Sequence, residues 1–345
     1  MVRGKRMRPK SGNPNGLRRS RISPVRGVVA WYFATIYGRL EGLGTVPFYC
    51  DPLRVGAFAV RPNELARGHE PTLFRLFVAL SMFQALRDVV IMRQQRAMSR
   101  EAVELLTCVN VVERHVGNSQ CEHLASADVF DLRCSVRKTI VGADCEHRSG
   151  VRCHVKDTTP LFRRMGDMGK LPTSAWLHAW KEGRLSRILK SVIAQESDPR
   201  KRADLLVEQF ARIHRVGRKL ATMFVSALST PALAPGLTPW FPEIDGNGLM
   251  VIDTNVARAV DGLCQPGSAK TYESRARWLR RQAAKIDLRQ FGSDLPGCSP
   301  RLVQQALYAF CSKSNRVAHK DECARSGQVC GSCVTAICPF AAAAK

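Results

Sequence analysis

Residues 201–228 read KRADLLVEQFARIHRVGRKLATMFVSAL. Leu206, Phe210 and Ile213 share one face at three- and four-residue steps, and Leu220, Met223, Phe224, Ala227 and Leu228 make a second apolar stripe with the same helical period. Arg215, Val216 and Gly217 lie between the stripes and leave room only for a tight corner. The stretch therefore predicts two helices meeting across a hairpin, at about 213–220. Such a corner leaves backbone N–H groups unpaired at the start of the second helix, where the helix dipole also favours an anion. It can grip a phosphate without reading a base.

Working outward, the same period recurs almost everywhere. Upstream it appears in Ser174–Lys181 and Leu185–Ala194, and in a run from Leu73 through Phe74, Phe77, Leu80, Met82, Phe83, Leu86, Val90 and Ile91. Pro71 and Thr72 are placed to start that run, which predicts one long buried helix. Downstream, Pro231, Pro235, Pro239 and Pro242, followed by the turn signals Asp245 to Gly248, predict a loop of about twenty residues. Helical patterns resume after Asp253 and Thr254, around Arg275–Ile286, and from the cap-and-first-turn pair Ser299-Pro300 through Phe310. The expected fold class is mostly α. Between about 107 and 160 the pattern weakens and Cys121, His123, Cys134, Cys145, His147, Cys153 and His154 appear among charged residues, as in a core-poor insertion.

The chain has 345 residues, with 53 Lys plus Arg against 29 Asp plus Glu, a formal charge of +24. A field of that sign gathers polyanions, with nucleic acid ahead of an anionic membrane. The longest apolar stretches, such as Val28–Tyr37, are too short to span a bilayer, so no membrane association is expected. Thirteen cysteines, an odd count in a long chain without a secretory signal, point to metal ligation in a reducing compartment rather than to disulfides. Before Glu41, the first acidic residue, Arg3, Lys5, Arg6, Arg8, Lys10, Arg18, Arg19, Arg21 and Arg26 stand among Gly, Pro and Ser. Residues 1–25 are read as a disordered basic arm that tracks phosphates or serves as a eukaryotic targeting sequence.

Three groups of residues carry chemistry. Cys323, Cys330, Cys333 and Cys338 are separated by six, two and four residues, close enough to enclose one metal centre. Thiolates suit zinc or an iron-sulfur cluster; the spacing favours the cluster over the paired cysteines usual for zinc, with unrelated buried thiols the remaining reading. Lys219 falls in the first turn of the hairpin's second helix beside Arg218, positive surroundings that favour the neutral amine able to attack carbon, although a lysine there is ordinarily just solvated. Asp253, after the apolar approach Val251-Ile252, is most simply a helix N-cap. Paired with Lys219, its carboxylate can stabilise an oxocarbenium-like transition state and help to free the amine.

The order of these groups resembles the endonuclease III branch of the helix-hairpin-helix DNA glycosylases. Val216-Gly217-Arg218-Lys219 followed by Ala221 resembles that family's hairpin, whose lysine forms a Schiff base with deoxyribose. Ile252-Asp253-Thr254-Asn255 resembles its catalytic-aspartate segment, and Cys323, Cys330-Gly331-Ser332-Cys333 and Cys338 its cluster loop. Leu80-Ser81-Met82-Phe83-Gln84-Ala85 is similar, more loosely, to the helix end whose glutamine fills the gap left by an everted base. Arg215 stands where the family has glycine and His214 where it often has proline; Asp253 follows Lys219 by 34 positions, more than usual, which leaves Asp245 as a competitor. The last cysteine gap is one shorter than the commonest form.

The resemblance implies a two-domain helical glycosylase fold. A helical barrel over 72–250 would carry the hairpin and the insertion, and 251–345 would form a helical domain with the iron-sulfur loop, joined by an N-terminal segment, 26–71. It also implies double-stranded DNA containing a damaged base, a pyrimidine by the same resemblance, or an abasic site as the partner. Lys219 and Asp253 are then catalytic, Gln84, Val216, Gly217 and Arg218 contact DNA, and the four late cysteines hold a 4Fe-4S cluster. A monomer in the cytoplasm at the nucleoid is expected, or in the nucleus or mitochondrion of a eukaryote. The alternatives are a monofunctional glycosylase that leaves Lys219 idle, a non-catalytic iron-sulfur DNA-binding protein and a metal-dependent regulator. In the insertion, Cys121, Cys134, Cys145 and Cys153, with His123, His147 and His154 as alternates, are candidates for a zinc ion.

Overall fold

The structure, a computed structural model, describes residues 23–37, 47–162, 166–263 and 270–312. It is mostly helical, with almost no strand among the described residues. Helix α1 (Pro24–Tyr32) begins with Pro24, whose fixed φ suits a first turn, and buries Val25, Val28, Val29 and Tyr32 on one stripe. Helix α2 (Glu70–Ser81) is almost wholly buried and is followed by α3 (Asp88–Ala97). Helix α4 (Arg100–Thr107) is capped by Ser99 and leads into α5 (Val109–Gly117); α6 (Ala127–Arg133) is capped by Ser126. A two-residue hairpin then pairs β1 (Arg137–Lys138) antiparallel to β2 (Ala143–Asp144). Helices α7 (Arg184–Gln195), α8 (Pro199–Phe210) and α9 (Gly217–Ser229) follow in sequence, and α10 (Thr254–Leu263), α11 (Tyr272–Ala283) and α12 (Pro300–Cys311) complete the described set. No helix among the described residues is long and apolar enough to cross a membrane.

The long helix expected from Leu73 to Ile91 is instead two. The chain leaves α2 after Ser81, passes through Ala85 at φ 60° and re-enters a helix at Asp88. Periodicity missed the break because the apolar residues on both sides stay in phase, and no glycine or proline marks the turn. The side chain of Gln84 stabilises it, donating from Nε2 to the Ser81 carbonyl at 2.6 Å.

Apolar side chains gather in two clusters whose boundary in sequence falls between Leu249 and Met250. The first is built around α2, α8 and α9, with an aromatic centre in which Phe77 meets Phe224 at 5.0 Å, Phe210 meets Phe224 at 5.0 Å and Phe74 meets Trp180 at 5.1 Å. The second joins α1 to α10, α11 and α12, with Trp31 edge-on to Phe310 at 5.0 Å. Among the described residues of the segment 26–71 expected to pack with the C-terminal part, those of α1 and its continuation to Tyr37 do so. Tyr49, Val55, Phe58, Val60 and Leu65 join the first cluster, because they pack beneath α3 and α2.

The insertion is also less core-poor than expected. Val112 of α5, Phe130 of α6 and Val155 are buried in the first cluster, at positions too widely spaced for the sequence pattern to reveal a common face.

A buried cation links the clusters. Arg301 of α12 donates from Nε to Ser226 Oγ on α9 at 3.1 Å and from Nη1 to Gln304 Oε1 at 2.6 Å, and the same Gln304 oxygen accepts the Val251 N–H at 3.2 Å. Burial lowers the Arg301 pKa to about 10, against the pull of the neighbouring Tyr32, Tyr272 and Tyr49 hydroxyls.

Candidate active site

The corner between α8 and α9 positions the first reactive group. Val216 is buried and caps α9 without a side-chain hydrogen bond, so Gly217 and Arg218 open the helix at the surface. Gly217 has φ 52° with open space where a Cβ would stand, so the residue is required by conformation rather than by a close neighbour. Arg215 sits at φ 64°, a region that costs a residue bearing a Cβ about 1–2 kcal/mol. Its guanidinium is held by Asp167, Nε donating to Oδ2 at 2.6 Å. His214 is fastened by its N–H to Ser174 Oγ at 3.0 Å and by Nε2 to the Asp167 carbonyl at 3.1 Å, and burial lowers its pKa. The corner that departs from the expected Gly and Pro is thus braced from the neighbouring 167–174 segment.

Lys219, half-buried in the first turn of α9, donates from Nζ to the Phe83 carbonyl at 3.0 Å. Gln84 is the next residue, and its Nε2 also reaches Met168 Sδ at 3.3 Å. Across the seam, Asp253 caps α10: Oδ1 accepts the Val256 N–H at 2.8 Å and Oδ2 the Asn255 amide at 3.2 Å. The Lys219 ammonium acts on the Asp253 carboxyl through space, at more than ion-pair distance. Burial raises the Asp253 pKa, opposed by the Val256 N–H, Lys219 and Asn255 and reinforced by Asp88. Two residues far apart in the chain are therefore coupled electrostatically.

The Pro-rich segment permits this by folding back on the first cluster. The Trp240 N–H bonds to the Leu228 carbonyl at 3.0 Å, and the Asp245 N–H to the Pro199 carbonyl at 3.0 Å. Asp245 itself is committed elsewhere, accepting Arg200 Nε at 3.0 Å, the Asn247 N–H at 2.8 Å and the Asn247 amide at 2.7 Å. Its geometry is that of a turn, with no part at Lys219.

Sequence reading missed two neighbours of the pair. Tyr308 on α12 donates its hydroxyl to the Asp88 carboxylate, and both Asp88 and Asp253 raise the Tyr308 pKa together with its burial, the largest cause. Asp88 had only the signal of an acid opening a helix, which is too common to single it out. Tyr308 was a half-buried polar ring in an otherwise buried stripe.

On the flank of the corner, Arg218 lies over the Tyr272 ring at 5.6 Å. Beside it a cavity of about 220 Å³ is lined by Asp204, Arg277 and Arg280 as well as Arg218 and Tyr272. Its three arginines outnumber the two acids that also line it, Asp204 and Glu273, a balance that suits a phosphate backbone.

The remaining metal candidates divide. Cys323, Cys330, Cys333 and Cys338 lie outside the described residues. His154 is removed as a ligand: it is a core histidine, with Nδ1 on Thr173 Oγ1 at 2.8 Å and Nε2 on the Leu105 carbonyl at 2.8 Å. Cys121, His123, Cys134, Cys145, His147 and Cys153 line one cavity.

The chain matches no protein-family model, and it has no significant match among curated proteins or solved structures.

Proposed function

We propose that the protein excises a damaged base, a pyrimidine by the resemblance noted above, from double-stranded DNA and then cleaves the abasic site by β-elimination. The observation that supports this most is the electrostatic coupling of the first-turn amine of Lys219, held on the Phe83 carbonyl beside Gln84, to the half-buried carboxyl of Asp253. A proton acceptor with raised affinity within electrostatic reach of an amine is a starting arrangement from which substrate binding can produce a nucleophile at neutral pH.

In this reading the target nucleotide is everted and Gln84 occupies the vacated stack. Asp253 takes a proton from the Lys219 ammonium. The Nζ lone pair bonds to C1′ while the glycosidic bond breaks, its electrons leaving with the base, which is protonated as it departs. Asp253 gives that proton to the departing base, and its carboxylate, charged again, faces the positive charge that develops on the sugar. Ring opening gives the Schiff base, whose pull on electrons allows loss of a C2′ proton and expulsion of the 3′ phosphate. Val216, Gly217 and Arg218 would hold the backbone through first-turn N–H groups and the guanidinium. Cys323, Cys330, Cys333 and Cys338 are the residues that would hold a 4Fe-4S cluster, as a structural element, and no step of the reaction passes through it.

The Lys219 bond to the Phe83 carbonyl favours one rival, a monofunctional enzyme in which Lys219 only braces the loop and Asp253 activates water. Borohydride trapping separates the two. Wild-type protein incubated with abasic-site DNA should yield a covalent adduct, and Lys219→Ala should yield none. Undiminished trapping by that variant would remove Lys219 as nucleophile. Salt-sensitive binding without base release from any member of a lesion panel would favour the non-catalytic alternative.

A further inference from the structure

We propose that the insertion binds one zinc ion through Cys121, His123, Cys145 and His147. This site is separate from the Lys219–Asp253 pair and does not depend on the glycosylase reading. The Cys121 thiol and one ring nitrogen each of His123 and His147 lie within 4.8 Å of one another. A tetrahedral zinc with Zn–S of about 2.3 Å and Zn–N of about 2.0–2.1 Å sets its ligands roughly 3.4–3.8 Å apart, so side-chain adjustments on the order of 1 Å would close the shell. The two imidazoles already lie face to face, with centroids 4.0 Å apart and planes 20° apart.

The sequence around them is doubled. Cys121-Glu122-His123 and Cys145-Glu146-His147 are the same tripeptide, and the fold brings the two copies to one cavity of about 360 Å³. Cys145 stands to His147 in sequence as Cys121 stands to His123 and lines the same cavity; its thiol lies outside the close group of three, so in this proposal it moves in as the fourth ligand when the ion binds. Glu122 Oε1 lies 3.5 Å from His147 Nε2, a carboxylate placed to orient an imidazole.

One further feature fits a resident ion. The hairpin that leads to Cys145, unlike the helices on either side of it, has little apolar burial to hold it: β1 and β2 are two residues each, and Ile140 and Val141 are exposed. A local fold with so little apolar burial is the kind that a structural metal completes.

The test uses the full chain expressed with zinc in the medium, dialysed, and assayed for metal and sulfide. Wild type should hold about one zinc per chain, and so should Cys330→Ser, which alters only the late cysteines. Cys121→Ser, Cys145→Ser and His147→Asn should each lose most of it. Because a variant can fail to fold, wild-type protein is also loaded with cobalt(II), which should show the strong visible bands of a tetrahedral thiolate-imidazole site. A folded wild-type protein without zinc, zinc retained in all three variants, or an octahedral cobalt spectrum would overturn the proposal. Borohydride trapping is scored in parallel, so failure here is distinguishable from failure of the DNA reading.

Discussion

Asp253 serves two purposes that pull against each other. As the cap of α10 it needs only an oxygen, which an asparagine also supplies. As a buried carboxylate it resists ionisation, and that resistance is a cost to folding. With its pKa raised in the folded state, the cost is absent where both states are protonated, grows as pH rises through the unfolded value of about 3.9, and is complete above the folded value. Asp253→Asn should therefore be more stable than wild type in urea at pH 7, with the difference vanishing below about pH 3.9. Base release by the same variant should fall by about 10²–10³. A variant less stable at neutral pH would show that the carboxylate is needed for the fold. Of these facts the sequence revealed the cap, while the pairing with Lys219 is its expectation and not a contact of the structure. It could not reveal Asp88 and Tyr308, because their meeting depends on a turn at Ala85 that has no compositional mark.

At the scale of elements, the seam between α9 and α12 rests on Arg301. Its removal leaves a cavity and strips the donor from Ser226 and Gln304, so Arg301→Ala should lower unfolding stability by roughly 3 kcal/mol, read from the urea midpoint at constant slope. Arg301→Lys should recover less than half of that, since an ammonium cannot reach both acceptors as a fork does. An alanine variant with unchanged stability would show that the seam is held by apolar contact alone. Elements with a strong period and a clear cap were legible: Ser299-Pro300 opens α12 as expected, with Ser299 Oγ accepting the Leu302 N–H at 3.3 Å. The insertion was not, because its buried residues are single anchors, Val112, Phe130 and Val155, each on a different short element.

For the whole molecule, charge is the dominant property. A protein carrying +24 that neutralises six to ten phosphates should lose about 10³–10⁵ in affinity for duplex DNA between 50 and 200 mM salt. Fluorescence anisotropy with a labelled abasic duplex measures this, and a flat response would remove nucleic acid as the partner. Composition suggests that partner class, which the salt titration decides, and the helical period announced the mostly helical fold. The division into two apolar clusters was expected only through the resemblance, since no single stretch of sequence shows which distant helices will share a core.

That division has a consequence for how the protein is made. Helix α1 can find its packing surface only when α12 has left the ribosome, because the second cluster is assembled from both of them. Until then Asp253 has no fixed position opposite Lys219, although the cluster that bears the lysine can already have folded. If the two residues act as proposed, a nascent chain would lack its reactive pair until α12 has been made.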